Sequence, residues 1–141
     1  MRSILSVLFV CAACVAGTAH AFIDFGGMQF FSGLVGLSRG HTAHLHVVNA
    51  TPANCQYELE IVSAGGKTLQ SRLVDVAPGQ TATISLKFPQ RELPRQLIHA
   101  VVNTVVEGCT AGLVSTLEIV DDNNDGTSSF VQLYGVQIRQ Q

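Results

Sequence analysis

The stretch Asp121-Asp122-Asn123-Asn124-Asp125-Gly126 satisfies D-x-[DN]-x-[DN]-G, the opening of a calcium-binding loop. Oxygen-bearing side chains at alternate positions (Asp121, Asn123, Asp125), followed by a glycine that permits a sharp bend, let a chain wrap a hard cation at about 2.3–2.6 Å. The twelfth position is Gln132, where a bidentate Glu would close the shell, and strands rather than helices flank the loop. The expectation is a polar turn, with a weak calcium site as the alternative. His44 and His46 form a second pattern: imidazoles at i and i+2 share one strand face and can ligate one Zn²⁺ or Cu²⁺. His41 lies near the start of the same strand and His99 on another. No Cys, Met or carboxylate stands at a helpful spacing in the sequence to complete that set, so solvent-facing histidines are expected. Glu58 and Glu60 share a face and have the residue types of a glycosidase pair, but adjacent outward carboxylates on a strand read as a solvated edge. The nucleophile elbow G-x-S-x-G is absent. Asn49-Ala50-Thr51 spells a glycosylation acceptor, with Pro52 directly after it.

The elements that must position these residues begin after a leader. Met1-Arg2, an apolar run of thirteen residues from Ile4 to Ala16, and Ala19-His20-Ala21 before Phe22 read as a secretory signal peptide over residues 1–21. The run is shorter than the roughly 20 residues of a spanning helix, and Cys11 occupies the position where a lipoprotein signal acylated at Cys14 needs an aliphatic residue. Removing 21 of 141 residues leaves 120, the expected single domain of residues 22–141, with no transmembrane segment and a secreted or periplasmic location. Cys11 and Cys14, a C-x-x-C pair, leave with the leader. Cys55 and Cys109 remain, an even count in an oxidising compartment, and are expected to pair. The bridge would close a loop of about 53 residues, for which the chain-entropy estimate is roughly 4 kcal/mol.

Charge is sparse, at 13% of residues, with a formal net charge of −2. No basic stretch can neutralise a row of phosphates, which argues against a nucleic-acid partner. From Gly40 onward the apolar period is two. Ala43, Leu45 and Val47 alternate with Thr42, His44 and His46; Tyr57, Leu59 and Ile61 with Gln56, Glu58 and Glu60; Ala82, Ile84, Leu86 and Phe88 with Thr81, Thr83, Ser85 and Lys87. Residues 63–67 read as a hairpin loop and Ala77-Pro78-Gly79-Gln80 as a tight turn. Leu97 to Val106 is apolar on both faces, which suits a central strand. With an opening strand near Leu34 to Leu37, one at Leu113 to Val120 and a closing strand near Phe130 to Ile138, the expected fold is all-β: an immunoglobulin-like antiparallel β-sandwich of about seven to eight strands. Phe22 to Ser32 reads either as a first edge strand or as an N-terminal arm.

Gly36-Leu37-Ser38-Arg39-Gly40-His41-Thr42, Leu45-His46-Val47-Val48-Asn49, Asn54-Cys55, Ala77-Pro78-Gly79-Gln80-Thr81-Ala82 and Leu117-Glu118-Ile119-Val120-Asp121 resemble a group of small secreted bacterial β-sandwich proteins without assigned function. Their pattern is a G-x-T-x-R-L-x-V-x-N strand, an early cysteine, a P-G-Q-T turn and a C-x-x-x-L-E-V-x-D ending. The resemblance covers most of residues 34–127 and departs from the pattern at His44, where arginine is usual, and in a longer terminal loop. It implies a fold and a compartment and brings no catalytic residue. The functional expectation is a secreted, non-enzymatic protein that needs no cofactor and binds a protein or cell-surface partner or serves in the envelope. The alternative is a secreted metal-binding protein using the Asp121 loop or the histidine face.

Overall fold

Two antiparallel sheets packed face to face bury the apolar sets that the period-two pattern marks out. The computed structural model describes residues 28–88, 95–106, 108–124 and 126–137; the expected leader, with Cys11 and Cys14, and residues 22–27 lie outside them. The strands are β1 (Met28–Phe31), β2 (Val35–Ser38), β3 (His41–Asn49), β4 (Cys55–Ser63), β5 (Thr68–Val76), β6 (Thr81–Lys87), β7 (Arg95–Thr104), β8 (Leu113–Asp121), β9 (Gly126–Gln132) and β10 (Tyr134–Gln137). The first sheet runs β10-β1-β7-β4-β5, with β2 also on β7; the second runs β6-β3-β8-β9. β7 is central, as its two apolar faces require: Ile98, Ala100 and Val102 are fully buried between the sheets, and Val101, on the opposite face, is 6% exposed. Leu45, Val47, Tyr57, Leu59, Ile61 and Leu117 complete the middle of the core, each large aliphatic side chain contributing about 1.5–3 kcal/mol relative to exposure. Among the described residues no helix is long and apolar enough to cross a membrane.

The opening of the chain forms two strands, and the closing run divides into two as well. β1 and β2 lie along the same edge of β7 and are interrupted at Ser32, whose backbone N–H donates to the Ala100 carbonyl (3.0 Å) and whose hydroxyl accepts the Ala100 N–H (2.8 Å). That hydroxyl replaces a ladder carbonyl, so the chain kinks there without orphaning a buried donor. The segment around Phe130 divides at buried Leu133, which carries the chain from β9 in the second sheet to β10 in the first. In place of the seven to eight strands expected there are ten among the described residues: Met28–Phe31 adds one, and the closing run divides into two. Among the described strands only β4-β5 and β8-β9 are joined as hairpins, and most other consecutive strands lie in opposite sheets.

Two devices tie the arches down. Cys55 and Cys109 are bonded, with Cα atoms 5.6 Å apart and both side chains buried. Asn49, with no exposed surface, donates its amide to the carbonyls of Ala53 (2.7 Å) and Val76 (2.8 Å) and accepts from the Thr51 N–H (3.0 Å) and hydroxyl (2.7 Å). Its own carbonyl accepts from Gly79 (2.7 Å) in the Ala77-Pro78-Gly79-Gln80 turn, where Pro at the second place and Gly at φ +72° at the third follow the type II pattern.

Candidate binding face

The outward side chains of the second sheet line up in rows set by register. Ser85, His44, Glu118 and Phe130 form one row from β6 across β3 and β8 to β9; Thr83, His46, Thr116 and Gln132 form the next. The pattern follows from strict alternation in β3, where Ala43, Leu45 and Val47 go inward and leave Thr42, His44 and His46 outside. His44 Nδ1 lies 2.7 Å from the Ser85 hydroxyl and His46 Nδ1 2.9 Å from the Thr83 hydroxyl. The two rings stack, with centroids 5.9 Å apart and planes 24° from parallel. His46 Nε2 is 3.3 Å from Glu118 Oε2, and the Thr127 hydroxyl donates to Glu118 Oε1. That hydroxyl is the main cause holding the Glu118 carboxyl below its ordinary pKa; the His46 contact and the charges of both imidazoles act the same way, against desolvation. At the margin of the row Phe130 is 64% exposed.

Sequence reading placed no carboxylate near the histidines. Glu118 lies 72 positions from His46 and reaches it only because β8 pairs with β3 and puts Glu118 opposite His44. The other two described histidines are elsewhere: His41 Nδ1 is 3.2 Å from the Arg39 carbonyl, and His99 lies in the first sheet opposite Val62. As the side chains stand, no three His, Cys, Asp or Glu among the described residues converge on a metal-sized point.

The Asp121 segment is a tight turn between β8 and β9. Asp121 Oδ1 accepts from the Asn123 backbone N–H (2.9 Å) and side-chain amide (3.1 Å), and Oδ2 from the Asn124 amide (2.8 Å). These donors, the Asn123 backbone first, hold the Asp121 carboxyl below its usual pKa. Asn123 thus turns its nitrogen, not its oxygen, toward Asp121, while Asp125 lies outside the described residues. Asp122 faces the other way, accepting from the Thr42 hydroxyl (2.7 Å) with Lys87 Nζ at 3.3 Å.

No family model and no curated protein matches the chain. Its architecture is similar to that in the crystal structure of Thermotoga maritima 1070. The two chains are 11% identical, with a TM-score of 0.54 over 79% of this chain and 97% of that one, a likeness that speaks for the fold alone.

Glu58 and Glu60 occupy the outer face of the first sheet. Glu58 accepts from the Asn103 amide (3.2 Å), and the pKa of Glu60 is raised by burial first and by the charge of Glu58 second. Asn49 of the acceptor triplet is sealed: its amide is taken up by the Ala53 and Val76 carbonyls, and the residue has no exposed surface for a glycosyltransferase.

Proposed function

We propose that the chain is a secreted or periplasmic, non-enzymatic sandwich of the immunoglobulin-like kind that binds a protein or cell-surface partner through the outer face of its second sheet. The observation that carries this reading is the hydrogen-bonded array of His44, His46 and Glu118, each held by a hydroxyl from a neighbouring strand and bordered by exposed Phe130. Polar groups held in place beside an exposed aromatic suit an interface, because little side-chain entropy remains to be lost on docking. An open sheet face, unlike a concave cleft, favours a macromolecule over a small substrate. The leader-like residues 1–21 and the bonded Cys55 and Cys109 support an oxidising compartment.

A photo-crosslinking side chain at Thr116, compared with one at Ser71 on the edge of the first sheet, tests the face in cells that make the protein. A discrete adduct is expected from Thr116 alone, lost with Phe130→Ala; equal labelling from both positions, or none from Thr116, would reject the assignment. N-terminal sequencing of the mature protein should begin at Phe22.

A further inference from the structure

We propose that His44, His46 and Glu118 bind one divalent transition-metal ion, with Cu²⁺ held more tightly than Zn²⁺. The site goes beyond the partner reading and does not rest on it. Two imidazoles and a carboxylate are donors that these ions accept, and copper stands above zinc in intrinsic affinity for such sets. Spacing fits one ion shared by His46 and Glu118 and does not choose between the metals. Ligand atoms bound at about 2.0–2.1 Å to one tetrahedral ion stand roughly 3.3–3.4 Å apart, and His46 Nε2 and Glu118 Oε2 are 3.3 Å apart.

His44 is the ligand that must move. Its ring is stacked on that of His46, with planes 24° from parallel, and because nitrogen lone pairs lie in the ring planes two stacked rings do not aim at one ion, so binding includes a turn of the His44 ring toward Glu118, the residue directly across from it on β8. Part of an outer shell is already present: Thr83 holds Nδ1 of His46, whose ring stays in place, and Thr127 holds the second carboxylate oxygen. Hydroxyls both donate and accept. Thr83 can therefore receive a proton from His46 Nδ1 when Nε2 gives its lone pair to the metal, in place of the Nε2–H that faces Glu118 without metal. Such outer partners typically change metal affinity by about 10–100-fold. Lys87, the cation on the same face of β6, is engaged with Asp122 and does not compete for Glu118.

The test is titration of the purified, oxidised protein with CuCl₂ and with ZnCl₂ by calorimetry, joined to electron paramagnetic resonance of the Cu²⁺ form. One ion per chain is expected, with hyperfine splitting from two imidazole nitrogens. His44→Ala and His46→Ala should each weaken Cu²⁺ at least about tenfold and leave a one-nitrogen spectrum; Glu118→Gln should weaken it while keeping both nitrogens. Thr83→Val should lower affinity without changing stoichiometry, and His41→Ala and His99→Ala should change nothing. Metal-free circular dichroism establishes that each variant is folded. Retention of the two-nitrogen spectrum in the His44→Ala, His46→Ala double variant, or no Cu²⁺ binding at about 0.1 mM, would overturn the site and leave the cross-linking result untouched.

Discussion

Replacing Asn49 by Ala should remove more stability than any other single polar-to-alanine change among the described residues. The side chain is fully buried and makes four hydrogen bonds, joining the β3–β4 corner to the end of β5. Its removal strips a donor from the buried Val76 carbonyl, at about 1–3 kcal/mol for an unmet buried group. The Ala53 carbonyl and Thr51 N–H are nearer solvent and recover part of their loss from water, about 0.5–1.5 kcal/mol between them. The net expectation is about 2–4 kcal/mol, which for a domain near 100 residues lowers the melting temperature by roughly 10–25 °C. Asn49→Asp is nearly isosteric and should be worse, since it points a carboxylate at two carbonyl oxygens. Urea denaturation followed by circular dichroism measures both, with exposed Asn54→Ala as a control expected within about 0.5 kcal/mol of the parent. If Asn49→Ala and Asn54→Ala melted together, the claim that this amide ties the two sheets would be refuted.

Reduction of Cys55–Cys109, or replacement of either cysteine, should cost about 2–5 kcal/mol; alkylation of the unreduced mature protein, read by mass spectrometry, should find neither thiol free. Ile84→Asp places a charge in the core and should abolish cooperative melting, whereas Thr83→Asp, whose side chain faces solvent beside His46, should stay folded; equal melting of the two would invert the facing of β6. The raised pKa of Glu60 means that the folded state holds its proton more tightly than the unfolded chain, so the group lowers stability as pH rises through the folded value. Glu60→Gln should therefore stabilise at pH 7 and do nothing below about pH 4, under the ordinary Glu pKa; a melting curve at each pH decides it. Because the Asp121 oxygens already accept from Asn123 and Asn124, calcium at a few millimolar should raise the melting temperature by no more than a few degrees relative to EDTA, and a submicromolar affinity would contradict the turn geometry.

Alternation was enough to read the inward and outward faces of β3, β4 and β6 from the residues, because one face of each strand is buried and period two leaves no second solution; β7, apolar on both faces, could be read only as central. The cysteine pair was legible for a different reason, since only two cysteines follow residue 21. The union of His46 with Glu118 was not, because it depends on which strand lies beside β3 and in what register, and arches that alternate between sheets hide that from local pattern. Asn49 looked like the polar end of a strand or a glycan acceptor; its real partners are carbonyls, which carry no sequence signature. The break at Leu133 was missed because a core leucine at a corner leaves the period undisturbed.

The bridge between β4 and the segment after β7 also alters how far apart these strands are along the covalent graph. In a reduced chain, pairing Tyr57 with Thr104 requires closure of a long loop through β5 and β6, the kind of non-local step that slows β-sandwich folding. In the oxidised chain the same two residues are joined by a short path, two residues to Cys55, the bridge, and five residues from Cys109. β4 and β7 then behave as the two arms of a hairpin whose turn is a disulfide, free to zip from Tyr57–Thr104 through Leu59–Val102 to Ile61–Ala100. Once oxidised, the middle of the first sheet becomes a neighbour-by-neighbour assembly, and refolding from denaturant with the bridge intact should outpace refolding of the reduced chain.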